Sequence, residues 1–253
     1  MIKVVVLGAG NVAHHLITAF QRASDITVSQ VWARHNGSFG HLLPSEFICN
    51  DLSQLQNADV YILAISDDAI ISLSSQLPFT DKLVVHTSGS VAMEALNDKN
   101  RKGVFYPLQT FSKSKTLDFS AVPICIEAIN DSDYKTLEKV AKAISKVTHT
   151  INSDQRKALH LSAVFVSNFV NHLYQIGQEI CEANQLDFAI LQPLILETAD
   201  KILTLSPKEA QTGPAKRQDT KTINAHLNFL TEKKQKEIYK LLTKSIIDNG
   251  KKL

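Results

Sequence analysis

The hexapeptide Gly8-Ala9-Gly10-Asn11-Val12-Ala13 directly follows the apolar, Val-rich run Ile2–Leu7 and opens a stretch of helical period over 12–22. It matches the pattern G-x-G-x-x-G/A in the setting that gives the pattern mechanical meaning: strand, tight turn, helix. Gly8 permits the turn, Gly10 lets the backbone approach a bound anion, and Ala13 is small enough for the helix to press against the strand. The helix N-terminus then offers N–H groups that have no partner within the helix. The turn therefore predicts the first unit of a sheet flanked by helices.

The next part of the chain agrees. Val- and Ile-rich runs at 26–33, 59–66, 82–87, 104–106 and 122–128 alternate with segments of helical period at 68–76, 91–97 and 132–146, the last preceded by Asp131 as its expected N-cap. This is the pattern of an α/β, Rossmann-type domain with a mainly parallel sheet, expected over residues 1–152. From 153 to 253 no strand-like run occurs, and helical periodicity fills 154–183, 188–205 and 221–249, the last broken near Thr231. Pro207, Gly213 and Pro214 mark 206–219 as a loop. An all-α C-terminal domain is expected there, and 253 residues at 44% hydrophobic suffice for two cores.

Composition narrows the partners. A formal charge of +2 with scattered Lys and Arg gives no basic surface for nucleic acid. Cys49, Cys125 and Cys181 lie far apart, which argues against a disulfide framework or a metal site. No apolar run reaches membrane-spanning length and no basic leader precedes Ile2, so a soluble, unprocessed, cytoplasmic protein without a membrane partner is expected.

The glycine turn assigns Gly8, Ala9, Gly10, Asn11 and Val12 to the pyrophosphate of a dinucleotide. The second strand ends Val31-Trp32-Ala33-Arg34-His35-Asn36, without the acidic residue that would hold the ribose hydroxyls of NAD. Arg34 is a planar, permanently charged fork suited to a 2′-phosphate, and His35, Asn36 and Ser38 can add donors, so NADP(H) is the expected cofactor. The alternative is an arginine merely exposed at a strand end. Ser66, Thr87 and Ser88 fall at strand ends on the edge where such sheets bind ligands, with Asp67 and Asp68 read as helix caps. Ser88 and Gly89 suit a place where cofactor ring and substrate meet, although Ser88 or Ser90 could equally cap the next helix. Gln109, in Tyr106-Pro107-Leu108-Gln109-Thr110-Phe111, is a candidate pocket wall.

At 100° per residue, His160, Ser167, Asn168, Asn171 and Gln178 share one sector of the first long helix, opposite Leu161, Phe165, Phe169, Leu173, Ile176 and Ile180. Such a stripe fits a wall that orients a polar substrate, with His160 as acid/base, Asn168 as orienting group and Asn171 in contact with substrate. It also fits a solvated polar face. In the loop 212–219, Lys216 and Arg217 could clamp an anion and Asp219 could cap the helix containing His226; an exposed linker is the alternative.

These residues resemble a family in which a Rossmann-like domain is joined to a helical domain of uncharacterised function, its members described as candidate NADP oxidoreductases. The carriers are the turn at 8–13, the segments 86–90 and 106–111, the stretch from His160 to Asn168, and above all Thr212-Gly213-Pro214-Ala215-Lys216-Arg217-Gln218-Asp219 with His226. More distantly the layout is similar to pyrroline-5-carboxylate reductase, prephenate dehydrogenase, ketopantoate reductase and the β-hydroxyacid dehydrogenases. The resemblance implies hydride transfer to or from a small, anionic, carboxylate-bearing substrate, in a homodimer built through the helical domain. One departure stands out. The hydroxyacid and ketopantoate enzymes use a Lys with an Asn one turn later, whereas Val164 precedes Asn168 by four and Ser167 precedes Asn171 by four, and Lys157 is misplaced for such a pair. The expectation is an NADP-dependent oxidoreductase; the alternative is a non-catalytic NADP-binding sensor or interaction protein.

Overall fold

The computed structural model describes residues 1–34, 39 and 42–251. In β1 (Ile2–Leu7) the last four residues are buried. Val4 and Val6 pack on one side of the sheet, Val5 and Leu7 on the other, as the two-residue period of a strand covered on both faces requires. The other strands are β2 (Ile26–Trp32), β3 (Ile48–Cys49), β4 (Val60–Leu63), β5 (Leu83–His86), β6 (Arg101–Pro107), β7 (Ile124–Ala128) and β8 (Thr148–Thr150). Among the described residues they form one sheet in the order β3-β2-β1-β4-β5-β6-β7-β8. Only β6 and β7 pair antiparallel; the other neighbours are parallel.

Helices α1 (Asn11–Gln21), α2 (Asp67–Gln76) and α3 (Asp131–Ile144) accompany the sheet. Leu16 and Phe20 of α1 and Leu137 of α3 share a core with Val4, Val6 and Phe105, while Ile70 of α2 packs with Leu7 and Tyr61 on the opposite face. This is the Rossmann-type layering that the sequence predicts. Its strand order reverses between β1 and β4, which opens a crevice at their carboxyl ends.

By contact, the chain divides into two compact units, Met1–Asn168 and Phe169–Leu253. The first includes α4 (Ser153–Ala163), entered through a capping box in which Asn152 and Gln155 satisfy each other's backbone N–H groups, and running on into a π-helical segment, Val164–Phe169. The second contains α5 (Val170–Ala183), α6 (Gln192–Lys201), α7 (Pro207–Ala210), α8 (Thr220–Phe229) and α9 (Lys233–Lys251). In it Ile190, Leu194, Leu196, Leu203, Phe229 and Leu241 are each well over half exposed. Among the described residues, no helix is long and apolar enough to cross a membrane.

Several local expectations are corrected. The helix expected over 91–97 is a single 3-10 turn, Met93–Ala95, because its backbone groups bond elsewhere: Ser88 Oγ accepts from Val91 N–H, and Ser153 Oγ accepts from Met93 N–H. Asn130, not Asp131, caps α3, its side chain accepting from Asp133 N–H at 2.9 Å. Ser66, not an aspartate, occupies the N-cap of α2, and Asp67 and Asp68 fill its first turn, where they complement the helix dipole. The expected loop 206–219 contains α7, one turn stabilised by a Ser206–Glu209 capping box. A wheel drawn at 100° per residue also fails across Val164–Phe169, since a π turn holds more residues than an α turn.

Candidate functional site

Gly8 adopts φ +137°, and a Cβ there would lie 2.0 Å from the Ala64 carbonyl oxygen. The turn thus lets β1 pass hard against the chain leaving β4. Gly10 is different: a Cβ there would meet nothing within 4 Å, so its missing side chain leaves space for a ligand. His14 N–H makes the bond back to Gly10 O at 3.1 Å. The N–H groups ahead of it in α1 therefore lack partners within the helix, and the first turn carries no acidic side chain.

These groups border a cavity of about 650 Å³ lined by residues 8–12, Arg34, Ser66 and Thr87 among others. Gly8, Ala9, Gly10, Asn11, Val12, Arg34, Ser66 and Thr87 are so gathered around one crevice, at the strand reversal. Its size, the open space at Gly10 and the free helix N-terminus fit a dinucleotide pyrophosphate. His35, Asn36 and Ser38 lie outside the described residues. Two members use their side chains within the protein: Asn11 Nδ2 donates to Phe111 O at 2.8 Å, and Thr87 Oγ1 to Leu63 O at 3.4 Å.

The loop after β5 brings the crevice and α4 together within the first unit. Ser88 is buried, and its Oγ accepts from the N–H groups of Ser90 and Val91, both at 3.0 Å, so this hydroxyl shapes the loop. At Gly89 a Cβ would lie 2.5 Å from His160 Cγ and Nδ1. The imidazole can pack there only because position 89 has no side chain. The same ring nitrogen, His160 Nδ1, is 2.9 Å from the Tyr106 hydroxyl. Burial, with smaller contributions from neighbouring Cys125 and Asp67, pushes the Tyr106 phenol up to about 12, so it stays neutral at physiological pH.

A buried network holds this arrangement. Arg156, one turn before His160 on α4 and fully buried, pairs with Glu127 and donates to Val91 O at 2.6 Å and Ser153 Oγ at 3.1 Å. Ser153 N–H donates to Glu127 at 2.9 Å. One guanidinium thereby ties the loop bearing Gly89 to the helix bearing His160. Removing either member of the Arg156–Glu127 pair would strand a buried charge.

His86 lies at the end of β5, fully buried, and its Nδ1 accepts from Ser88 N–H at 3.2 Å. The proton of the neutral ring is therefore on Nε2. Burial, then repulsion from Arg156, brings the imidazole from 6.5 down to about 4. The unfolded chain takes up a proton between these values that the folded chain refuses. Stability is thus fully present above pH 6.5 and falls by about 3 kcal/mol on approaching pH 4. The substitution His86→Asn, which keeps an acceptor for Ser88 N–H, should flatten this part of the pH dependence; urea midpoints at pH 7 and 4.5 read it directly.

Gln109 is exposed and turns back to accept from Thr110 N–H. Asn168 lies in the π-helical segment and Asn171 on α5, both exposed. Within the second unit, Arg217 is exposed near Asp219. Hydrogen bonds from Thr222, supplemented by Arg217, hold the Asp219 carboxyl below its ordinary range, and Asp219 caps α8 as expected. His226 Nδ1 is 2.8 Å from the Tyr239 hydroxyl. Among the described residues, no group of three or more His, Cys, Asp or Glu could hold a metal ion.

Sequence reasoning missed the Glu127–Arg156–Ser153 network, although the spacing of Arg156 and His160, which puts both on one helix face, was a usable signal. It treated Tyr106 only as part of a pocket wall.

The architecture is that of a nucleotide-binding α/β unit followed by a helical unit. A family described as a domain of unknown function (DUF2520) matches residues 122–246. A candidate NADP oxidoreductase from Bacteroides fragilis is 36% identical over 98% of both chains, with a TM-score of 0.88. The chain belongs to the DUF2520 family. A protein of Thermotoga maritima, 20% identical over 98% of both chains, superposes with a TM-score of 0.74. The pyrroline carboxylate reductase of Plasmodium falciparum, solved with NADP bound, is 12% identical over 99% of this chain and 97% of its own, with a TM-score of 0.64. These last two likenesses are of fold. No curated protein matches the chain in sequence.

Proposed function

We propose that this protein is an NADP-dependent oxidoreductase acting on a small carbonyl or imine compound that carries a carboxylate. The observation that carries the reading is the junction at the loop after β5: Thr87 lines the crevice and Gly89, two residues on, receives the His160–Tyr106 pair. The Bacteroides relative's name supports the cofactor and the oxidoreductase class.

Residues 8–12 hold the pyrophosphate and Arg34 the 2′-phosphate. Bound NADPH supplies a hydride. His160 moves the accompanying proton: in its charged form it donates Nδ1–H to the Tyr106 oxygen and offers Nε2–H to the substrate heteroatom. Tyr106, held neutral, is a positioning residue that fixes the ring.

Fluorescence titration tests the cofactor. NADPH should bind more tightly than NADH, and Arg34→Ala should weaken NADPH by roughly tenfold or more while changing NADH little. No binding of either nucleotide, or a preference for NADH, would sink the reading.

A further inference from the structure

The segment that follows β6 returns to the glycine turn. Asn11 Nδ2 donates to Phe111 O at 2.8 Å, His15 Nε2 to Ser112 O at 3.0 Å, and Lys113 Nζ to Ala9 O at 3.1 Å. Three consecutive residues are thus fastened to the turn and to α1 from about a hundred positions away in sequence. The third bond places an ammonium on the carbonyl of Ala9, in the middle of the Gly8-Ala9-Gly10 turn.

A neutral carbonyl is a modest partner for an exposed ammonium. A pyrophosphate brings two negative charges to the same turn, and a bond between two ionised groups is shorter and stronger than one to a neutral acceptor. Lysine carries its charge on a flexible stem, so the ammonium can change partners while the bonds from Asn11 and His15 keep the backbone of 111–112 in place. With no acidic residue in the first turn of α1, that turn offers no anion to hold the charge back.

We propose that Lys113 is a cofactor-binding residue whose ammonium leaves the Ala9 carbonyl for the pyrophosphate when a dinucleotide binds. The inference rests on the dinucleotide reading above and adds a role that Arg34 does not fill. Arg34 is assigned to the 2′-phosphate, which separates NADPH from NADH, whereas Lys113 serves the phosphates that both share.

The test uses the full chain and four probes: NADPH, NADH, ADP-ribose and adenosine 2′-monophosphate, with binding measured by calorimetry. Lys113→Ala should weaken the first three by a common factor of roughly ten and leave adenosine 2′-monophosphate, which has no pyrophosphate, unchanged. Lys113→Arg should retain most of the affinity. Because Lys113 is exposed, the thermal midpoint of the free protein should not move. Affinity of Lys113→Ala for NADPH within twofold of the parent, or equal weakening of all four probes, overturns the assignment of Lys113 and spares the dinucleotide reading. A parent protein that binds none of the probes overturns both.

Discussion

Gly89→Ala is expected to reduce turnover by roughly a hundredfold or more while leaving NADPH affinity within about twofold of the parent. The new methyl group would lie 2.5 Å from the His160 ring and 2.9 Å from its Cβ, so the imidazole must leave its place beside Tyr106. None of the crevice groups assigned to the cofactor is touched, which separates this effect from a loss of binding. The assay is oxidation of NADPH with a panel of small keto acids and imines, and of hydroxy acids in reverse, with His160→Ala as reference. The two substitutions should not add, since both remove the same ring, and Gly89→Ala should cost less stability when His160 is already alanine. Near-parental turnover in Gly89→Ala would remove His160 from the chemistry. A parent that binds NADPH yet turns over nothing across the panel would favour a non-catalytic, cofactor-sensing protein.

The second large effect separates two glycines only two residues apart. Gly8→Ala should destabilise the fold by about 3 kcal/mol or more, because the substituent would overlap the Ala64 carbonyl oxygen at 2.0 Å and the backbone sits at φ +137°. Gly10→Ala should cost less than about 1 kcal/mol, since the helix N-cap has φ −78° and open space around it, yet it should block the nucleotide. Urea unfolding and NADPH titration of the two variants together decide the point. Equal destabilisation, or normal binding by Gly10→Ala, would contradict the assigned roles.

How far such a site is legible in the sequence depends on how local its causes are. The β1-turn-α1 unit reads directly, since the apolar run, glycine spacing and helix start all lie within twenty consecutive residues. Strands β3 and β8 do not, being only two and three residues long, too short to carry a period. The segment 91–97 misleads because the groups that capture its backbone N–H and carbonyl groups, Ser153 and Arg156, lie about sixty residues later. Lys113 has no local signature at all: among Ser112, Ser114 and Lys115 it looks like any solvated lysine. The helix face singles out His160, but its neighbours Gly89 and Tyr106 come beside it only once the strands are aligned.

The buried Arg156 has a consequence for how proteins of this design can change. It fastens the helix of His160 to the loop of Gly89 and to Glu127 on β7, all within the unit that ends at Asn168. The loop of Gly89, the helix of His160 and β7 therefore form one block, in which a change to one part must be matched in the others.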